Sequence, residues 1–221
     1  MEDNLELDKY DIIIGVDEAG RGPLFGPVFT SAVILPDIST DSFDLSILKD
    51  SKKFSSKKKI YDVYSYIKDN AWYYSVDSLD HTVIDDINIR NATLKSMQTS
   101  VINVIKKYIK DNPCENINHI MCIIDGNAFK PIQFFHNNQV FTVNFKTIVK
   151  GDATHKPIMA ASILAKVSRD NYMLELCSKN PELQERYFLH KNMGYGTKQH
   201  IEGIKKYGLC EGHRITFKLK K

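Results

Sequence analysis

The stretch that most limits what this chain of 221 residues can fold into is Ile12 to Leu35, IIIGVDEAGRGPLFGPVFTSAVIL. An apolar run, Ile12 to Val16, stops at two acids, Asp17 and Glu18. Ala19-Gly20-Arg21-Gly22-Pro23 and Gly26-Pro27 follow, then a second apolar run from Val28 to Leu35. β-Branched runs bounded by Gly and Pro read as strands. Two carboxylates at the mouth of a buried strand cost free energy unless something pairs with them. Arg21 is the only base nearby, so one cation must answer two anions, or a metal ion does. A surface turn with solvated acids is the plainer alternative. The density of glycine weighs against it, because bare backbone lets a ligand approach closely.

The rest of the chain reads as alternating elements. Residues 1–11 are a polar lead-in, and 36–49 a loop with at most a short helix, being rich in Pro, Asp and Ser. Ser55 is the expected N-cap of a helix over 56–70, where Ile60, Val63, Tyr64 and Ile67 form an amphipathic stripe. Residues 71–76, AWYYSV, fit a third strand that completes a meander with the first two. Residues 79–110 read as helical, broken near 88–91, with Leu94, Met97, Val101, Ile105 and Tyr108 on one face and Pro113 as the stop. HIMCII, 119–124, is a buried strand ending at Asp125-Gly126, and 140–149 alternates as a fifth strand. A helix from 154 to 177 tolerates Pro157 in its first turn. A short helix over 197–207 and an irregular basic tail close the chain. Three strands, helices and then βαβ-like units make an α/β domain on a mixed five-stranded sheet flanked by helices. The division expected is a catalytic domain over 1–190 and a small helical C-terminal appendage over 191–221, packed beside the active site.

Composition narrows the function classes. With 43% hydrophobic residues the chain can bury a sizeable core. No apolar run approaches the ~20 residues that span a bilayer, and MEDNLELDKY lacks the basic start and apolar middle of a secretory signal, so a cytoplasmic monomer is expected. Cys114, Cys122, Cys177 and Cys210 show no C-x-x-C spacing and read as free thiols. Net charge is +3, but it is segregated: the first fifty residues carry a net −8, five lysines follow within 51–60, and 191–221 carry +6. An acidic centre flanked by basic surfaces suits a metal site that works on phosphates. Lysines that merely solvate helices remain the alternative for Lys57, Lys58 and Lys59.

Asp17, Glu18 and Asp125 fall at the C-terminal ends of expected strands, the edge of an open α/β sheet where ligands bind. If the first and fourth strands are neighbours, Asp17 and Asp125 meet, and Asp152, ahead of its helix, leans over the same edge. Converging carboxylates raise one another's pKa values unless cations bind. Hard oxygen donors without His or Cys select Mg2+ or Mn2+, and two ions ~4 Å apart is the expected arrangement. Adjacent strand residues point to opposite faces, so the ladder should already be ending at Glu18. Asp125 before Gly126 also suits an ordinary turn, and Asp152 also suits a helix start favoured by the dipole. Lys166 and Arg169 read as phosphate contacts or as a salt-bridged helix face, the second being favoured. His155, His190, His200 and His213 are possible proton shuttles, none at a spacing that demands catalysis.

These segments, with Asp50-Ser51-Lys52-Lys53, Gly151-Asp152-Ala153, the run Ala160-Ala161-Ser162-Ile163-Leu164-Ala165-Lys166-Val167-Ser168-Arg169-Asp170, Gly194-Tyr195-Gly196-Thr197, and His213-Arg214 with Phe217, resemble in their order the blocks of ribonuclease HII, a type 2 ribonuclease H. The resemblance spans 12–217. It implies a ribonuclease H-like fold and a catalytic, metal-binding set of Asp17, Glu18, Asp125 and Asp152. It also implies Gly20, Arg21 and Gly22 reading the 2′-hydroxyl that distinguishes RNA from DNA, Tyr195 stacking on the sugar at an RNA–DNA junction, and Lys52 and Lys53 at phosphates. The activity implied is an endonuclease that cuts the RNA strand of RNA–DNA hybrids, 5′ of ribonucleotides embedded in duplex DNA, and removes misincorporated ribonucleotides. Phe25, where the family usually has a smaller residue, and Thr154-His155-Lys156-Pro157 depart from its pattern. Ribonuclease HIII, the sister type, carries an N-terminal substrate-binding domain and a GKG-like segment; Gly20-Arg21-Gly22 and the short lead-in favour HII. Rival readings are a non-catalytic hybrid binder, which would gain from losing acids that repel phosphates, and a DNA-directed nuclease of the same superfamily.

Overall fold

β1 (Ile12–Ala19) is the axis of a five-stranded sheet. In this computed structural model, which describes residues 7–36, 43–113, 117–136 and 139–218, β1 pairs antiparallel with β2 (Val28–Ile34), and β2 antiparallel with β3 (Tyr73–Leu79). On its other side β1 pairs parallel with β4 (Ile120–Asp125), and β4 with β7 (Asn144–Ile148), giving the order β3-β2-β1-β4-β7. The expected meander, the adjacency of the first and fourth strands, and the mixed five-stranded sheet are all present. β1, β2 and β4 are apolar almost throughout because helices cover both faces of the sheet.

Strand alternation sorts the core into two layers. Ile12, Ile14 and Val16 of β1, with Cys122 and Ile124 of β4, face Met97, Val101, Val104 and Ile105 of α3 (Ile89–Asp111). The opposite face packs against α4 (Lys156–Lys179), whose Met159 to Val167 run also meets Ile60 and Ile67 of α1 (Lys57–Asn70). At Gly15 the strand and α4 are so close that a Cβ would stand 2.1 Å from the Pro157 carbonyl carbon. Only glycine allows that approach.

Several boundaries differ from the sequence reading. Ser56, not Ser55, caps α1 by accepting the Lys59 amide. The third strand starts at Tyr73, because the Ala71 amide still belongs to α1, donating to the Ile67 carbonyl at 2.8 Å. The helical stretch after it is two helices, α2 (His81–Ile87) and α3, broken at Asn88, whose φ of 65° ends one helix while its side chain caps the next. The alternating run 140–149 is not one strand. Val143 is drawn into the core and donates to the Ile132 carbonyl at 3.0 Å, so β6 (Gln139–Thr142) pairs instead with β5 (Gln133–His136) in a separate ribbon. After α4 come α5 (Pro181–Tyr187), α6 (Leu189–Asn192) and α7 (Lys198–Tyr207), gathered around Phe25, Met173, Cys177, Tyr187 and Leu189. The expected irregular tail is, through Arg214, a packed strap: His213 pairs with Phe25 as an isolated β-bridge, and both His213 and Arg214 are buried. Cys122, Cys177 and Cys210 are free thiols; Cys114 lies outside the described residues. No helix among the described residues is long and apolar enough to cross a membrane.

Candidate active site

The parallel ladder between β1 and β4 stops at Val16 and Ile124, whereas the antiparallel ladder between β1 and β2 runs on to Ala19. Beyond Val16, therefore, one edge of β1 is open, and Asp17 and Glu18 stand on that edge. The expectation that the strand is ending at Glu18 holds on the β4 side and fails on the β2 side. Alternation persists: Asp17, opposite Ser31, faces α4, and Glu18, opposite Thr30, faces α3. Asp125, the last residue of β4, shares the α4 face with Asp17. Asp152 sits in a 3-10 turn, Gly151–Ala153, and its amide donates to Asp125 Oδ1 at 3.3 Å.

All four acids line one cleft of about 520 Å³. Gly20, Arg21, Gly22, Lys52 and Tyr195 line it too; Lys53 does not, nor do His155, His190, His200 and His213. Lys52 is presented by a 3-10 turn, Ser51–Lys53, capped by Asp50, and its ammonium lies 3.1 Å from Asp152 Oδ2. Arg21 lies 3.0 Å from Glu18 Oε1. Asp17 is buried, accepts the Glu18 amide at 2.7 Å and is supported by the Ser162 hydroxyl of α4. Ser162 in turn bonds Ser51 at 3.1 Å, which ties Asp17 to the turn that carries Lys52.

The charges here are costly. Burial, then the charges of Glu18 and Asp125, hold the Asp17 carboxyl well above the usual carboxylate range. Burial chiefly, and the charge of Asp125, raise Glu18 against the pull of Arg21. Burial raises Asp125 as well, with Asp152 adding repulsion. Among the described residues no three His, Cys, Asp or Glu side chains converge closely enough to cage an ion as they stand. The outer two acids are instead drawn to Arg21 and Lys52. The donor set still suits a hard divalent cation: carboxylate oxygens only, with the innermost acid buried and unmatched by any ion pair among the described residues.

Two buried arginines, Arg169 and Arg214, support the cleft floor. Arg169 is no salt-bridged surface residue. It is buried, and donates to the carbonyls of Pro27, Met193 and Phe25 at 3.1, 2.9 and 3.2 Å. Lys166 does pair with Asp170, at 2.8 Å. Arg214 donates to the carbonyls of Gly26, Arg21 and Gly20 at 2.9, 3.0 and 2.6 Å. Burial, then the charge of Arg169, pushes Arg214 down to about 9. Gly20 has φ +91° and rests directly on Arg169, where a Cβ would stand 2.1 Å from Nε. Tyr195 is half exposed, its ring over the Arg169 guanidinium at 6.0 Å, and a Cβ on Gly22 would lie 3.6 Å from that ring. The loop 20–22 and Tyr195 thus share one floor. An arginine without an acid three or four residues away on its helix is the sequence signal that finds Arg169; nothing local marks Arg214.

Comparison with known proteins agrees with the motif order. The family model described as Ribonuclease HII matches residues 14–220. The ribonuclease HII of Caldicellulosiruptor bescii is 40% identical over 217 residues, spanning 98% of this chain and 91% of its own. The crystal structure of ribonuclease H2 from Pyrococcus horikoshii matches with a TM-score of 0.68 at 21% identity over 93% of both chains. That of Bst-RNase HIII in complex with Mn2+ matches at 0.60 and 17% identity, over 93% of this chain and 74% of that one. The structural likenesses establish the shared ribonuclease H-like fold, and with the sequence matches across nearly its whole length this chain belongs to the ribonuclease HII family.

Proposed function

We propose that this protein is a metal-dependent endoribonuclease that hydrolyses the RNA strand of RNA–DNA hybrids and cuts 5′ of ribonucleotides embedded in duplex DNA, leaving 3′-hydroxyl and 5′-phosphate ends. The observation that carries the reading is the burial of Asp17 beside Glu18 and Asp125 at an open sheet edge, where carboxylates are held at a cost that a catalytic or binding role repays. Asp17, Glu18, Asp125 and Asp152 would hold Mn2+ or Mg2+, and Bst-RNase HIII, of like fold, is known in complex with Mn2+. Two such ions supply an activated water and charge stabilisation at the leaving oxygen.

The chain's own groups do the rest. Lys52 and Arg21, each beside an acid of the cleft, would exchange that partner for a substrate phosphate. The Gly20 and Arg21 carbonyls are fixed by Arg214, so the loop meets the 2′-hydroxyl with its backbone pre-set and without side-chain bulk at Gly20 and Gly22. Tyr195 stacks on the sugar at the junction. Removal of misincorporated ribonucleotides from DNA follows as the role.

The test is cleavage of a duplex carrying a single ribonucleotide, with Mg2+ or Mn2+, by the wild type and by Asp125→Asn. Cleavage by the wild type and loss of at least 100-fold in the variant is the expected result. An inactive wild type that binds the duplex would favour a non-catalytic hybrid binder. Continued cutting when the ribonucleotide is replaced by a deoxyribonucleotide would favour a DNA-directed nuclease.

A further inference from the structure

Behind Tyr195, away from the cleft, two histidines meet in a pocket closed to solvent. His200, in the first turn of α7, is wholly buried, and His213, on the C-terminal strap, is 2% exposed. Tyr187 stands edge-on to His213 at 5.0 Å and to His200 at 6.1 Å, and Phe25 edge-on to His213 at 5.0 Å. Neither ring reaches the cleft, so neither is a proton shuttle for the reaction.

Their contacts dictate where the protons sit. His200 Nδ1 lies 2.9 Å from the Tyr195 carbonyl oxygen. A carbonyl only accepts, so this nitrogen carries the proton, and a neutral ring then offers a lone pair at Nε2. The facing atom, 3.2 Å away, is Nε2 of His213, which must therefore donate. That leaves a lone pair on His213 Nδ1, and the Cys210 amide donates to it at 3.1 Å. The Cys210 carbonyl, 3.0 Å from the same nitrogen, already accepts the His213 amide at 3.1 Å and needs no proton from the ring, and burial holds His213 down at about 4. Burial lowers His200 also. The protons thus run in one direction, from the Cys210 amide through both rings to the Tyr195 carbonyl.

We propose that His200 and His213 are positioning residues for substrate recognition: as a pair of fixed tautomers they tie the C-terminal strap to the Tyr195 backbone and set the angle at which its ring faces the cleft. The inference rests on the reading of Tyr195 as the residue that stacks on the substrate. Among the described residues the Tyr195 carbonyl has one other donor, the Thr197 amide at 2.8 Å, a contact internal to the same short turn that cannot anchor it to the rest of the protein. His200 fastens that carbonyl to the C-terminal strap through His213, while the neighbouring Gly194 carbonyl takes the Leu24 amide at 2.8 Å. The next residue of the strap, Arg214, holds the Gly20 and Arg21 carbonyls, so His213 and Arg214 register both substrate-reading elements against one another.

Two measurements test this. Imidazole 15N shifts of the intact protein should show His200 protonated at Nδ1 and bare at Nε2, and His213 the reverse; a His200 protonated at Nε2 overturns the pair. Kinetics on the single-ribonucleotide duplex, with thermal unfolding as a check on folding, compare Tyr195→Ala, His200→Leu, His200→Asn and His200→Gln. Loss of a stacked aromatic should raise KM about tenfold. His200→Leu should match Tyr195→Ala in KM and lower kcat less. His200→Asn, whose amide nitrogen replaces Nδ1, should recover most of the KM, and His200→Gln, whose amide reaches toward His213, should not. A folded His200→Leu with wild-type KM beside an impaired Tyr195→Ala overturns the positioning role, as does equal behaviour of the Asn and Gln variants, a contrast that decides the matter even if His200→Leu does not fold. An unimpaired Tyr195→Ala overturns the stacking reading itself and the recognition role with it, while the 15N spectrum still judges the pair.

Discussion

Replacing Gly20 by alanine probes the shared floor of the cleft directly. The new Cβ would stand 2.1 Å from Arg169 Nε and 2.4 Å from its Cδ, where ordinary contact begins at 3.4 Å. The overlap with Nε is thus 1.3 Å, taken as the difference of those two distances. Arg169 cannot give way like a surface side chain, because three carbonyls hold its guanidinium. The loop must move, or at least one charged hydrogen bond must break at a cost of about 1.5–3 kcal/mol. Alanine at φ +91° adds roughly 1–2 kcal/mol of its own. Together these come to roughly 2.5–5 kcal/mol, or about 5–20 °C in Tm for a chain of this size. A displacement near 1 Å in a group that positions substrate costs about 100-fold in kcat/KM. The assay is cleavage of the single-ribonucleotide duplex beside a thermal melt, with Gly22→Ala as comparison. There the Cβ meets only the Tyr195 ring, at 3.6 Å, so Tm should hold while substrate approach suffers. A Gly20→Ala protein with unchanged Tm and kcat/KM would refute the account of the floor.

The raised carboxyls make metal-free stability depend on pH with a definite sign. Since Asp17, Glu18 and Asp125 bind protons more readily folded than unfolded, stability should fall as pH rises from the ordinary carboxylate range through their raised values, and saturating Mg2+ should flatten the curve; a metal-free melt that gains stability over that range would contradict the electrostatics. Asp17→Asn, for the same reason, should raise metal-free stability by ~0.5–2 kcal/mol, the usual range for stabilising substitutions, read as a higher Tm, while abolishing cleavage; a lower Tm would count against the cost assigned to that buried charge. Arg169→Lys keeps the cation but serves one carbonyl instead of three, and should cost roughly 2–5 kcal/mol, read from the denaturant midpoint at constant m; a loss under about 0.5 kcal/mol would show the three bonds to be unimportant. Lys52→Met should weaken hybrid binding and reduce the slope of log K against log salt by about one phosphate's share, ~0.9; an unchanged slope would remove Lys52 from the phosphate contacts.

The chemistry of the cleft was legible in the chain because it depends on residue types at strand ends. An apolar run that stops at Asp17-Glu18 and another that stops at Asp125-Gly126 place acids at one edge of a sheet once β1 and β4 are neighbours, and glycines at 20 and 22 leave room for a ligand. The long helices followed from apolar periodicity with errors at their boundaries, whereas α5 and α6 were not foreseen. Ser55 and Ser56 are equivalent as caps until the backbone chooses one. The alternation across 140–149 could not reveal that Val143 would be taken into the core, because alternation reports which side chains agree with a sheet and not which sheet they join.

Tertiary structure alone decided how the acids are paired and what lies beneath them. The two ladders of β1 end at different residues, which opens the edge at Asp17 while keeping Glu18 in the strand. Lys52 rather than Lys53 turns to the acids, since the 3-10 turn brings its ammonium to 3.1 Å from Asp152 Oδ2. Arg169, His200, His213 and Arg214 are polar residues that a linear reading assigns to the surface. They are buried because hydrogen-bond partners up to 194 residues away satisfy them, and a pairing over that separation leaves no periodic trace in the segments it joins. Local pattern specifies which elements form and which groups stand at their ends; satisfaction of buried polar groups is a property of the assembled whole.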